Sequence, residues 1–90
     1  MNYHVFHILT KERYEAEDLL KKLDEGKDFS ELARKFSLCR SSYQGGDLGI
    51  IRSHQADPTF EEAALQLKPG EITKKPIRTR FGFHLIKRIS

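Results

Sequence analysis

Two short apolar runs sit at opposite ends of the chain, Val5-Phe6-His7-Ile8-Leu9 and Phe81-Gly82-Phe83-His84-Leu85-Ile86. Each is short and rich in aromatic and aliphatic residues, which reads as a β-strand. In a chain of 90 residues, strands from the two ends are expected to meet in one sheet. Everything between them must then fold back to cover that sheet. Each run also carries a histidine, so the pairing that closes the fold can bring His7 and His84 together. Cys39 and the glycine-rich stretch Gln44-Gly45-Gly46-Asp47-Leu48-Gly49 lie between the two runs.

The intervening elements follow from periodicity. Ala16, Leu19, Leu20 and Leu23 recur at the spacing of one helical face, with Thr10 as a candidate N-cap and Gly26 as a stop. Phe29, Leu32, Ala33 and Phe36 make the apolar face of a second helix, opened by the capping pair Asp28 and Glu31. Residues 37–44 are polar, with room for a short helical turn. Residues 47–52 read as a strand. Asp57 and Pro58 suit the cap and first turn of a helix whose buried face is Phe60, Ala63, Ala64 and Leu67. Pro69-Gly70 makes a turn, and residues 72–77 and 82–89 close the chain as a hairpin. Pro76 cannot donate to a ladder and marks its strand as an edge. In the last strand, alternation sets His84 and Ile86 on one face and Phe83, Leu85 and Ile89 on the other. The order β-α-α-(short α)-β-α-β-β has too few strand–helix–strand crossovers for a doubly wound sheet. An α+β fold with a mainly antiparallel sheet is expected.

A chain of this length is a single domain, residues 1–90. Its 38% hydrophobic and 32% charged residues suit a small globular core, not a disordered tail. No apolar run approaches the roughly 20 residues a bilayer span needs, so no membrane partner is expected. The first residues lack the basic and apolar regions of a signal peptide, and a lone cysteine forms no internal disulfide. A cytoplasmic, free-standing monomer is the expectation, with an excised domain of an exported foldase as the alternative. The six basic residues Lys74, Lys75, Arg78, Arg80, Lys87 and Arg88 share residues 73–90 with no acidic one. No nucleic-acid-binding motif accompanies them. A solvated, aggregation-resistant edge is the simpler account, and nucleic acid is not an expected partner.

His7, Cys39 and His84 admit several readings. Each could be an ordinary packed residue. A zinc site has the right ligand types but no closely spaced ligand pair, so no metal is expected. A cysteine hydrolase would need an activated thiolate and an oriented base, for which Cys39, a histidine and Asp47 are the available groups.

The order His7-Ile8-Leu9, Phe36-Ser37-Leu38-Cys39, Gly45-Gly46-Asp47-Leu48-Gly49, Pro58-Thr59-Phe60 and Phe81-Gly82-Phe83-His84 resembles the parvulin family of peptidyl-prolyl cis–trans isomerases, also called rotamases. The resemblance runs from about Tyr3 to Ile89. It implies a parvulin-like (FKBP-like) four-stranded antiparallel sheet surrounded by helices. It implies rotation about X–Pro bonds in unfolded or flexible chains, with proline-containing polypeptides as substrates and no cofactor. It places His7 and His84 side by side under the cleft, joined by Thr79, with Cys39 buried between the histidines and facing the substrate. Leu48, Phe60 and Phe81 would line the proline pocket. Many parvulins have methionine four positions before the pocket phenylalanine, where this chain has Ala56. A wider groove follows, and with it the alternative of a weakly catalytic, peptide-binding chaperone module. Thr10-Lys11-Glu12-Arg13 is short and mixed in charge, unlike the basic loop of phosphate-directed relatives, so no strong phosphoserine preference is expected.

Overall fold

A computed structural model of the chain describes residues 2–90. Strand β1 (Asn2–Thr10) leads into helices α1 (Arg13–Asp24) and α2 (Phe29–Phe36). A 3₁₀ turn (Arg40–Gln44) precedes β2 (Asp47–Arg52), then α3 (Pro58–Gln66), β3 (Ile77–Thr79) and β4 (Gly82–Arg88). The four strands form one sheet in the order β2-β1-β4-β3, with every neighbouring pair antiparallel. The two ends of the chain thus supply the two central strands, which alone are flanked on both sides.

Strand alternation divides the core between two faces. Ile8 and Leu85 point to one face, where they pack with Ala16 and Leu19 of α1 and Phe29, Leu32 and Ala33 of α2. Tyr3, Val5 and Ile86 point to the other face and meet Phe60 and Ala64 of α3. His7 and His84 belong to this second face. α3 is therefore the element that roofs them, while α1 and α2 support the sheet from behind.

Three local expectations are corrected. Thr10 does not cap α1. β1 continues through it because Thr10 pairs with Phe83 of β4, and its buried hydroxyl donates to the Glu12 carbonyl at 3.0 Å. The cap is Glu12, in a reciprocal capping box with Glu15. Phe36 completes the apolar stripe of α2 yet stays 45% exposed, with the Lys22 ammonium over its ring. The strand expected over 72–77 shrinks to Ile77–Thr79. Ile72 pairs with Lys87 and Ile77 with His84. Five steps on one chain face three on the other, so residues including Pro76 are pushed out of the ladder. Thr73 bridges the gap, donating its N–H to the Ile86 carbonyl and accepting the Ile86 N–H on its hydroxyl.

The caps of α2 and α3 form as the sequence dictates. Asp28 accepts from the Glu31 N–H, and Asp57 from Thr59 and Phe60.

Candidate active site

β1 and β4 place their histidines on adjacent strands and on the same face. His7 Nδ1 and His84 Nδ1 lie 3.1 Å apart, with the rings stacked at 5.3 Å. His84 uses its other nitrogen on Thr79 Oγ1 at 2.7 Å, and that hydroxyl oxygen also accepts the Phe81 N–H at 3.2 Å. The polar chain therefore runs Thr79–His84–His7. Phe60 stands edge-on to both imidazoles, at 5.7 and 5.2 Å between ring centres.

Burial controls the charge of this pair. Each histidine is only 5% exposed. Removal from water pushes the His7 pKa down to about 4, and the neighbouring His84 pushes it the same way. Burial also lowers His84 to about 4, against the pull of the Asp57 carboxylate. At neutral pH both rings are uncharged, so one Nδ1 donates its proton and the other accepts it. His7 Nε2 is buried and has no hydrogen-bond partner among the described residues. A neutral ring leaves that atom far less costly than an imidazolium would.

Above the pair opens a cavity of about 320 Å³. Its lining includes His7, His84, Cys39, Leu48, Ala56, Phe60 and Phe81. One cavity thus brings together all the site residues implied by the family resemblance except Thr79, which touches it through His84. Cys39 differs from its expected setting. It is half-buried rather than enclosed, and no hydrogen bond joins its thiol to either histidine. Its position comes from the backbone. Leu38 N–H donates to the Leu9 carbonyl at 2.8 Å, and Ser37 Oγ accepts the Leu9 and Cys39 N–H groups at 3.0 and 3.4 Å.

Four further residues line the cavity: Leu9, Ile51, Gln55 and Asp57. Leu9 follows from alternation, two residues after His7. Ile51 was hidden because it is three residues from Leu48, and a regular strand would aim them to opposite faces. The β1–β2 register shifts, with His4 opposite Ile50 and Phe6 opposite Asp47. This bulge, at Gly49 with φ +70°, re-phases the strand and turns both apolar side chains inward. Asp47 takes no part in the cavity. Its carboxylate accepts from His4 Nε2 at 2.7 Å and from the Gly49 N–H at 2.8 Å, which pins the bulge. With Asp47 outside the cavity and the Cys39 thiol bonded to neither imidazole, the geometry does not assemble a Cys39–histidine–Asp47 array. Among the described residues no three His, Cys, Asp or Glu side chains group as a metal would require.

An apolar hollow over an uncharged polar floor suits an apolar ring attached to a polar amide. The family model for the rotamase, or PPIC-type PPIase, domain matches residues 5–90. The foldase protein PrsA of Bacillus subtilis is 42% identical over 83 residues, covering 91% of this chain and 28% of that protein. PrsA of Caldanaerobacter subterraneus is 44% identical over 82 residues, covering 90% of this chain and 26% of that protein. The chain thus spans about a quarter of the length of these relatives. The crystal structure of Bacillus subtilis PrsA superposes with a TM-score of 0.95 at 39% identity, over 99% of this chain and 35% of that one. The solution structure of the parvulin of Nitrosopumilus maritimus gives 0.87 at 34% identity, over 99% of this chain and 96% of that one. By the family match, the coverage and the shared architecture, this chain belongs to the PPIC-type peptidyl-prolyl isomerase (rotamase) family, the parvulins.

Proposed function

We propose that this domain accelerates rotation about X–Pro peptide bonds in unfolded or flexible chains, as a monomer and without a cofactor. The observation that carries the reading is the apolar cavity of about 320 Å³ set directly over a neutral His7–His84 pair. Uncatalysed rotation faces a barrier of about 18–20 kcal/mol and takes tens to hundreds of seconds. No bond need break, so the task is to bind the twisted amide better than either planar isomer. Phe60, Phe81 and Leu48 grip the proline ring and exclude water, which favours the planar, charge-separated amide. Fixed polar groups then meet the twisted bond. Cys39 assists by its polarity. His7, His84 and Thr79 act as the support that fixes the cavity's shape and polarity.

Phosphate direction is not part of this reading. A phosphate clamp needs convergent cations, and Arg13 is already paired with Glu17 at 3.5 Å within α1. The domain accepts varied residues before proline. A free-standing form would work in the cytoplasm, and a form built into a longer foldase would follow that protein out of the cell. No helix among the described residues is long and apolar enough to cross a membrane.

Ala56 favours a second reading, a peptide-binding chaperone module with weak catalysis. Alanine in the lining leaves that wall short. NMR exchange on proline peptides separates the two. Exchange between cis and trans signals that accelerates with added protein supports the enzyme. Chemical-shift changes without acceleration support the module.

A further inference from the structure

We infer that Arg80 biases the cleft toward proline segments carrying a carboxylate side chain next to the proline. The inference rests on the isomerase reading of the same cleft and names its substrate class. The β3–β4 hairpin carries two arginines, and the fold separates them. Arg78 alternates away from the cavity, and its guanidinium lies over Phe83, which packs on the α1–α2 face. Arg80 sits in the turn with its guanidinium 5.0 Å from the ring centre of Phe81. Phe81 is a cavity wall and is itself 60% exposed. The stacking holds the cation at the mouth of the proline pocket while leaving its N–H groups free for an anion.

Nothing nearby cancels that charge. Among the described residues the ion pairs are His4–Asp47 and Arg13–Glu17, and neither involves Arg80. Asp57 is the one carboxylate in the cavity lining, and it is committed to the start of α3, accepting the Thr59 and Phe60 N–H groups. The positive end of that helix offsets its charge. His7 and His84 are uncharged at neutral pH. A chain threading the cleft therefore meets one cation with no ion-pair partner beside the Phe81 wall, and a glutamate or aspartate beside its proline is the group that can use it.

The test uses matched peptides with Glu, Gln or Lys immediately before the proline, and a second set with the change immediately after it. NMR exchange gives kcat/KM and chemical-shift titration gives Kd for each. The expected Glu-over-Lys ratio is about two- to fivefold in one of the two sets, the size of one exposed ion pair, and it shrinks with added salt. R80E should reverse the ratio. R78E makes the same change of net charge on the other face and should leave it in place; R80Q serves if R80E is poorly folded. A wild-type ratio near one, an unchanged ratio in R80E, or an equal shift in R78E overturns the inference. Absence of exchange with every peptide overturns the isomerase reading instead, and the Kd ratios still decide the role of Arg80.

Discussion

Replacing Gly46 by alanine tests whether the glycine motif exists to position His7. Gly46 has φ +88°, and a methyl group there would overlap the His7 carbonyl oxygen and come 3.0 Å from Ala33 Cβ. The Gly46 carbonyl also accepts the His7 N–H at 2.9 Å. The left-handed backbone costs alanine about 1–2 kcal/mol. Forcing the methyl between a backbone carbonyl and a buried alanine adds about 1–3 kcal/mol. The expected loss is about 2–5 kcal/mol, or a Tm lower by at least about 8 °C in a domain of this size. Gly49→Ala is the control: its φ is +70°, yet a methyl there meets nothing within 4 Å, so only the backbone cost applies. Urea unfolding of both variants gives the energies. NMR exchange well below the melting temperature reads activity in the folded fraction, which should fall in Gly46→Ala as His7 is pushed from His84. If Gly46→Ala is no less stable than Gly49→Ala and keeps full activity, the close approach to His7 has no role and the reasoning fails.

The other predictions concern the cavity itself. His7→Ala leaves His84 without its buried partner and should cost about 2–4 kcal/mol of stability along with rate; wild-type melting with complete loss of activity would instead assign His7 a direct chemical role. Folding lowers the proton affinity of both histidines, so the unfolded chain binds more protons between pH about 6.5 and about 4. Their contribution to stability is full above that window, falls as pH drops through it and levels off below, and urea titrations at stepped pH should lose this slope in the double variant His7→Phe/His84→Phe. Ala56→Met extends the cavity wall by about one kcal/mol of apolar contact and should raise kcat/KM on short proline peptides roughly fivefold; a flat or reduced value in a protease-coupled assay counts against it. Cys39→Ala should retain measurable catalysis, because rotation does not require attack by the thiol, and a fall to the uncatalysed rate would favour a covalent step.

The legible parts of this fold are those where one physical rule acts alone. The alternation around His84 separates Ile86 from Leu85, and the two residues do enter different core clusters. Asp28 and Asp57 cap helices because each carboxylate lies within reach of the first-turn N–H groups that follow it. Thr10 failed as a cap because two rules met at one residue. Its hydroxyl suits a helix start, but pairing with Phe83 holds its backbone in β1. Residues 72–76 failed for a related reason. Ile72 and Thr73 suit a strand, but the ladder to β4 has room for fewer residues than the chain supplies there. Register is a property of two strands together, and neither strand's sequence states it. The same limit hid Ile51, which joins the lining through a bulge in β2 that only pairing with β1 makes visible.

The site shows why residue types alone were ambiguous. Histidine, cysteine and aspartate are the groups of hydrolases and of metal centres, and this chain has all three. What separates the readings is where each is held and in what charge state. Asp47 is engaged by His4 and the Gly49 N–H, away from the cavity. Cys39 lines the cavity but makes no bond to an imidazole. His7 and His84 are packed against Phe60 and each other, which holds them neutral. A proton-transfer site would need a base poised near neutral pH, and burial holds these rings down at about 4. A neutral polar floor is instead what a twisting amide can use, since the charge separation of its planar form is lost as it turns. On the proposed reading, the burial that holds this pair neutral is the same property that suits it to support rotation.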